Sequence, residues 1–186
     1  MEAGSAGPGA GRFTWSATVH PVTASFDDLL TANRTFAESF ELGGLQGVAR
    51  AGIAIVTCMD SRIDPLAILG LGAGDAKVFR NPGGRVDDNA LEALVLGVHL
   101  LNVNRILVIP HTRCAMASST LEQLRERVSA SAGQDASWQR FDVVPDQRAA
   151  LVDDVRRVRT HPLIPESVDV GGFVYDVDTG LVTQVV

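Results

Sequence analysis

Cys58, His111 and Cys114 are the side chains of this sequence whose types and positions can together hold a soft cation. Cys58 closes the apolar run Ile53-Ala-Ile-Val-Thr57, and His111 stands just past the apolar stretch that ends at Ile109. Both therefore project from the carboxyl ends of expected strands, where open α/β sheets place their ligand crevices. Cys114 follows three residues after His111, at a turn into a helix, so the positive end of the helix dipole favours its thiolate. Two sulfurs and one imidazole form a tetrahedral, borderline-soft donor set suited to zinc. Three protein ligands rather than four leave one corner free for water or substrate, which indicates catalysis rather than scaffolding.

Beside Cys58 the chain reads Cys58-Met-Asp60-Ser-Arg62, placing a carboxylate and a guanidinium in the loop where the metal would sit. An aspartate so close to zinc either ligates it or is held away by a competing cation, and Arg62 is the competitor at hand. Other readings of these residues stand beside this one. The cysteines can be small core residues or a single disulfide, His111 a hydrogen-bonded loop histidine, and Asp60 with Arg62 an ordinary turn-stabilising pair. A thiol redox protein is a further alternative, but that chemistry favours a nearby C-x-x-C pair, and these cysteines stand more than fifty positions apart.

Composition narrows the classes. The sequence has 186 residues, 46% of them hydrophobic, a formal charge of -6 and two cysteines. That length suits one domain, expected over residues 19–186, after a tail over 1–18 whose first residues, MEAGSAGPGAGR, lack any apolar period. Lys77 is the only lysine, and the arginines are scattered, so no basic stripe exists for a phosphate backbone and nucleic acid is not an expected partner. No apolar run approaches the roughly 20 residues a membrane span needs, and the N-terminus lacks the order of a signal peptide. A cytoplasmic protein is expected, in a reducing compartment that keeps both cysteines as thiols.

The elements that must position these side chains read as a β-α-β-α rhythm. A helix is expected from Ser25, as N-cap, to Phe40, stopped at Gly43 and Gly44. Gly52 to Cys58 is a continuously apolar, β-branched run that suits a strand covered on both faces of a parallel sheet. Lys77 to Arg80 reads as a second strand and Arg105 to Pro110 as a third. Asp87 and Asp88 can cap a helix reaching Leu101 that has almost no polar face and must be buried, with another subunit as one candidate cover. Helices are expected from Ala115 to Ala130 and from Pro145 to Thr160, then a hairpin from Gly172 to Val186 around Asp178-Thr-Gly180. The expected fold is α/β: a mostly parallel sheet wrapped by helices. Gly70-Leu-Gly72-Ala-Gly74 lacks the spacing of a dinucleotide loop and reads as a turn. Gly83 and Gly84 suit either a close backbone approach to the metal pocket or a plain turn, and His99 and His161 suit core or surface roles better than proton shuttling.

Three blocks, Cys58-Met-Asp60-Ser-Arg62, Arg80-Asn-Pro-Gly-Gly84 and His111-Thr-Arg-Cys114, resemble those of the β-class carbonic anhydrases in the family's order. The likeness runs from about Ser25 to the terminal Phe173-Val-Tyr-Asp-Val-Asp-Thr-Gly180 and is closest to the short, Cab-like bacterial and archaeal branch. The resemblance implies about four parallel strands with an antiparallel edge strand, an N-terminal helical arm, and a homodimer or higher homo-oligomer. It implies that Cys58, His111 and Cys114 bind Zn2+, that Asp60 and Arg62 form a catalytic dyad, and that Asp60 can swing onto zinc as a fourth ligand in a closed state. It implies reversible hydration of carbon dioxide to bicarbonate and a proton by a zinc-bound hydroxide. Hydrolysis of carbonyl sulfide or carbon disulfide on the same site, or a non-catalytic zinc or bicarbonate module, are the alternatives within its reach. Two positions depart from the pattern. Ala115 replaces the usual glycine after the second cysteine, and position 113 holds a bulky arginine; alanine tolerates a helical first turn but not a positive φ.

Overall fold

The computed structural model describes residues 25–186, which separate into two compact units divided after Gly44. The tail expected over residues 1–18 lies outside the described residues, as do residues 19–24. In the first unit, α1 (Asp27–Glu38) forms within the expected span, but its N-cap is Phe26 rather than Ser25, which lies one residue earlier and accepts the Asp27 N–H at 3.1 Å. The two aspartates of its first turn suit the positive end of the helix. None of its residues is buried, and Phe26 is 73% exposed.

The second unit is built on five strands: β1 (Ile53–Cys58), β2 (Ala76–Asn81), β3 (Arg105–Ile109), β4 (Asp169–Tyr175) and β5 (Val182–Gln184). Their order is β2-β1-β3-β4-β5, with β1 to β4 parallel and β5 antiparallel at the edge. The expected α/β architecture is the one observed. Every residue of β1 is buried, which is why its sequence runs apolar without alternation. β2 flanks β1 on one side and β3 on the other, so the chain switches direction between β1 and β3 and a crevice opens at their carboxyl ends.

Helices α2 (Asp88–Leu100) and α5 (Gln147–Arg159) cover one face, packing Leu94, Leu151 and Val155 on Val56, Ile106 and Val108. Each such side chain contributes about 1.5–3 kcal/mol by leaving water. The other face, with Ile55, Ile109 and Tyr175, is covered by the segment from Ile63 to Leu71 and by Met116 and Ala117. Asp87 caps α2 as expected, its carboxylate accepting the Ala90 N–H at 2.8 Å. Only one stripe of α2 is buried, however; Leu96 and Leu100 face outward.

One expected element is divided. The stretch from Ala115 to Ala130 forms α3 (Ala115–Ser118) and then α4 (Leu121–Ala132). Thr120 restarts the helix, its hydroxyl accepting the Gln123 N–H while the Gln123 side chain accepts the Thr120 N–H. That capping box was written in the sequence as Thr120-x-x-Gln123. At the chain's end, β4 begins at Asp169 rather than Gly172, because its first half pairs with β3 before its second half turns into the hairpin.

Candidate metal centre

Cys58 is the last residue of β1, and His111 bridges Tyr175 just past β3, so neighbouring strands bring residues distant in sequence to one crevice. Cys114 is the N-cap of α3. The Sγ atoms of Cys58 and Cys114 and a ring nitrogen of His111 all lie within 4.8 Å of one another, and all three residues are buried. The two sulfurs are 4.0 Å apart and both thiols are free.

The orientation of the imidazole is set by its other nitrogen. His111 Nδ1 lies 2.8 Å from the Thr112 carbonyl, and since a carbonyl only accepts, Nδ1 carries the proton and Nε2 presents a lone pair. His111 is 1% exposed, and its Nε2 is the one buried side-chain nitrogen or oxygen without a hydrogen-bond partner among the described residues. An orphaned acceptor beside two sulfurs is costly in an apo protein and is satisfied at once by a tetrahedral thiophilic cation. The donor set therefore fits zinc.

The sulfurs are electrostatically linked. Hydrogen bonding from Cys114 holds the Cys58 thiol far below its ordinary value, against the burial that opposes this; the N–H groups of Asp60 and Gly83 add to it. The same shared proton, together with burial, pushes Cys114 up. The helix-end effect expected at Cys114 is present, through the N–H groups of Met116 and Ala117, but the neighbouring Cys58 outweighs it.

Asp60 and Arg62 are brought together as the spacing suggested. Arg62 Nε donates to Asp60 Oδ1 at 2.9 Å and Nη2 to Oδ2 at 2.8 Å, and the Arg62 backbone N–H adds a third bond at 3.0 Å. This fork holds the Asp60 carboxyl well below the usual carboxylate range. Asp60 Oδ2 lies 3.8 Å from His111 Nε2, beside the three donors but engaged by arginine.

Gly83 and Gly84 make the close approach that their position allowed for. Gly84 has φ +66, and a Cβ there would fall 2.9 Å from the Cys58 nitrogen; the Gly83 N–H points at Cys58 Sγ from 3.4 Å. Of the two departures, Ala115 sits in a helical turn without strain, whereas Arg113 takes the left-handed backbone at φ 56 and pairs with Asp178. His99 and His161 lie away from the donors, engaged with Leu163.

Several contributors were given no role by the sequence reading. Gln147 Nε2 donates to the His111 carbonyl at 3.0 Å, Arg80 Nε donates to the Cys58 carbonyl at 2.9 Å, and buried Asp154 pairs with Arg85. Only the Arg80-Asn-Pro-Gly-Gly84 block marked their neighbourhood.

A family model described as carbonic anhydrase matches residues 53–182. The chain is 32% identical over 159 residues to "Beta-carbonic anhydrase 1" of Mycobacterium tuberculosis, covering 86% of this chain and 96% of that one. It is 30% identical over 148 residues to a "Carbon disulfide hydrolase" of Acidithiobacillus thiooxidans, covering 68% and 73%. Among solved structures, a carbonic anhydrase of Streptococcus mutans is similar at 35% identity and a TM-score of 0.78, covering 89% and 100%.

Proposed function

The chain belongs to the β-class carbonic anhydrases, and we propose that Cys58, His111 and Cys114 are its zinc ligands and Asp60 with Arg62 its catalytic dyad in the reversible hydration of carbon dioxide. The single observation that carries this reading is the orphaned His111 Nε2 facing two free sulfurs. When bound, zinc supplies the Lewis acidity that lowers the pKa of a water from 15.7 to about 7.

The chain's own residues do the rest. Arg62 keeps Asp60 ionised and fixes both carboxylate oxygens, so Asp60 Oδ2, beside the donor cluster, accepts a hydrogen bond from the attacking oxygen and aims it. Thr112 fixes the imidazole through Nδ1, and Gln147 fixes the His111 backbone. Carbon dioxide and water give bicarbonate and one proton. The intact Asp60–Arg62 fork argues against a non-catalytic zinc or bicarbonate module.

The test is stopped-flow carbon dioxide hydration with metal analysis. One zinc per chain and turnover are expected, both lost in Cys58→Ser; a wild-type protein without bound metal would reject the assignment. Carbon disulfide is a second substrate reading. A hollow of about 510 Å³ beside the donor-bearing loops has apolar walls at Met59, Met116, Leu124 and Phe141 and charged ones at Arg85 and Asp142, and one relative is a carbon disulfide hydrolase. Parallel turnover assays with carbon dioxide, carbonyl sulfide and carbon disulfide separate these.

The apolar side chains of α1, exposed among the described residues, support a homodimer or higher homo-oligomer in which this helix serves as an arm on the partner. Light scattering on the purified full chain reads the assembly, and a monomer at micromolar concentration would reject it. A cytoplasmic site of action is the companion proposal: no helix of the described residues is long and apolar enough to cross a membrane.

A further inference from the structure

We propose that Asp154 on α5 is a positioning residue for the metal centre: through Arg85 it holds the Gly83–Gly84 segment so that the Gly83 N–H donates to the Cys58 sulfur. The inference rests on the three-donor reading above and adds the element that keeps the donor loops in place.

Asp154 is 4% exposed, yet it bears a charge whose partner is Arg85, which reaches it as a fork: Nε to Oδ2 at 2.6 Å and Nη2 to Oδ1 at 3.1 Å. A buried ion pair contributes little net stability, because desolvation consumes what Coulomb attraction returns; apolar residues of similar volume often serve as well. What the fork does supply is direction, since a bidentate pair fixes both the distance and the plane of the guanidinium.

The segment it fixes is stiff. Asn81 Oδ1 accepts the Arg85 N–H at 2.8 Å and Asn81 Nδ2 donates to the Arg85 carbonyl at 2.7 Å, closing residues 81–85 into one loop. These bonds are internal to the loop; its first residue, Asn81, lies opposite Cys58 in the β1–β2 ladder and accepts the Met59 N–H at 3.1 Å, which anchors that end against β1 and leaves the Gly83–Arg85 end to be placed from elsewhere. Its ties to the helix layer are Asn81 Nδ2 to the carboxylate of Asp87, the N-cap of α2, at 3.1 Å, and, from α5, Asp154 to Arg85 and Arg157 Nη1 to the Val86 carbonyl at 2.6 Å; those from α5 hold the Arg85 end. Because the loop moves as a unit and Gly84 already touches the Cys58 backbone, a shift at Arg85 passes directly to the Gly83 N–H. A peptide N–H aimed at a cysteine sulfur withdraws charge from it and tunes how strongly the sulfur binds a metal. The first residue of the same helix, Gln147, holds the His111 carbonyl. One helix thus reaches the backbone of the His111 region directly and, at Val86, that of the segment following the loop packed on Cys58.

The test uses the full chain loaded with cobalt(II), whose cysteine-to-metal charge-transfer absorption reports on the sulfur donors, together with cobalt and zinc affinities from chelator competition. Asp154→Asn should shift the charge-transfer band and weaken metal binding about 10–100-fold. Arg85→Lys, which keeps the charge but not the fork, should move both readouts in the same direction. Asp153→Asn, on the exposed side of the helix and paired with Arg156, should move neither. If folded Asp154→Asn and Arg85→Lys both keep the wild-type band and affinity, whatever happens to their melting temperatures, the proposal is overturned; if Asp154→Asn does not fold, Arg85→Lys decides. A wild-type chain that takes up no cobalt overturns the three-donor reading and this inference together.

Discussion

The contact between Gly84 and Cys58 gives a prediction whose magnitude can be worked from the geometry. At φ +66, any residue with a Cβ pays about 1–2 kcal/mol of left-handed strain. Gly133, which ends α4, has nearly the same backbone, φ +64, but nothing within 4 Å of an added Cβ. Gly133→Ala therefore measures the strain alone, about 1 kcal/mol after the smaller entropy of the unfolded alanine chain is credited. At Gly84 the new atom would also meet the Cys58 nitrogen at 2.9 Å and the Thr57 carbonyl carbon at 3.0 Å. Those are backbone atoms of β1, a strand paired on both sides, and cannot rotate away as a side chain would. Overpacking of that kind adds about 1–3 kcal/mol, so Gly84→Ala should cost about 2–4 kcal/mol in all. For a chain of this size the melting temperature should fall by about 5–15 °C, against about 2–4 °C for Gly133→Ala. Because the displaced backbone is that of Cys58, zinc affinity should fall by about tenfold or more in Gly84→Ala and stay unchanged in Gly133→Ala. Thermal unfolding by circular dichroism, with chelator titration of the zinc-loaded proteins, reads both. Equal melting shifts and equal affinities in the two variants would refute the reasoning.

Asp60→Asn and Arg62→Ala should each lower carbon dioxide turnover by on the order of 10²-fold while one zinc per chain is retained, since positioning is lost and the donor set is not; loss of zinc instead would make the pair structural. The Asp75 carboxyl is held low by the Gly72 N–H and by Arg50, and that of Asp176 by the Asp178 and Thr179 N–H groups. A depressed carboxyl contributes stability above its ordinary value, about 4, and loses it as pH falls below that, so the denaturation midpoint should drop as the pH is taken below about 4 and drop less in Asp75→Asn. A midpoint with identical pH dependence in both proteins would count against the assignment. Arg113→Asn should leave the melting temperature unchanged or raise it by the equivalent of up to about 1 kcal/mol, because asparagine tolerates the left-handed backbone and the Arg113–Asp178 pair is exposed; a clear drop would show that the pair outweighs the strain.

Much of the fold was legible because its signals are local. The unbroken apolar run of β1 announced burial on both faces and Asp87 announced the start of α2, whereas the break before α4 was missed although Thr120-x-x-Gln123 marked it, and a continuous helix was expected there. The donor types and the Asp60–Arg62 spacing were equally local, and the arginine fork formed two residues from its carboxylate, within reach of any turn.

By itself, then, the sequence determined which residue types stand at strand ends, and hence which chemistry was available. Tertiary structure alone decided what those residues meet. Cys58 and Cys114 come together across 56 positions because β1 and β3 are neighbours, an order that no stretch of chain encodes locally. Gln147 reaches the His111 carbonyl across 36 positions and Asp154 reaches Arg85 across 69, so neither helix residue carried a signal in its own surroundings. Likewise the left-handed backbone fell on Arg113, between the donors His111 and Cys114, rather than on Ala115. Pairings of this kind depend on strand order and helix placement, which the whole core settles at once.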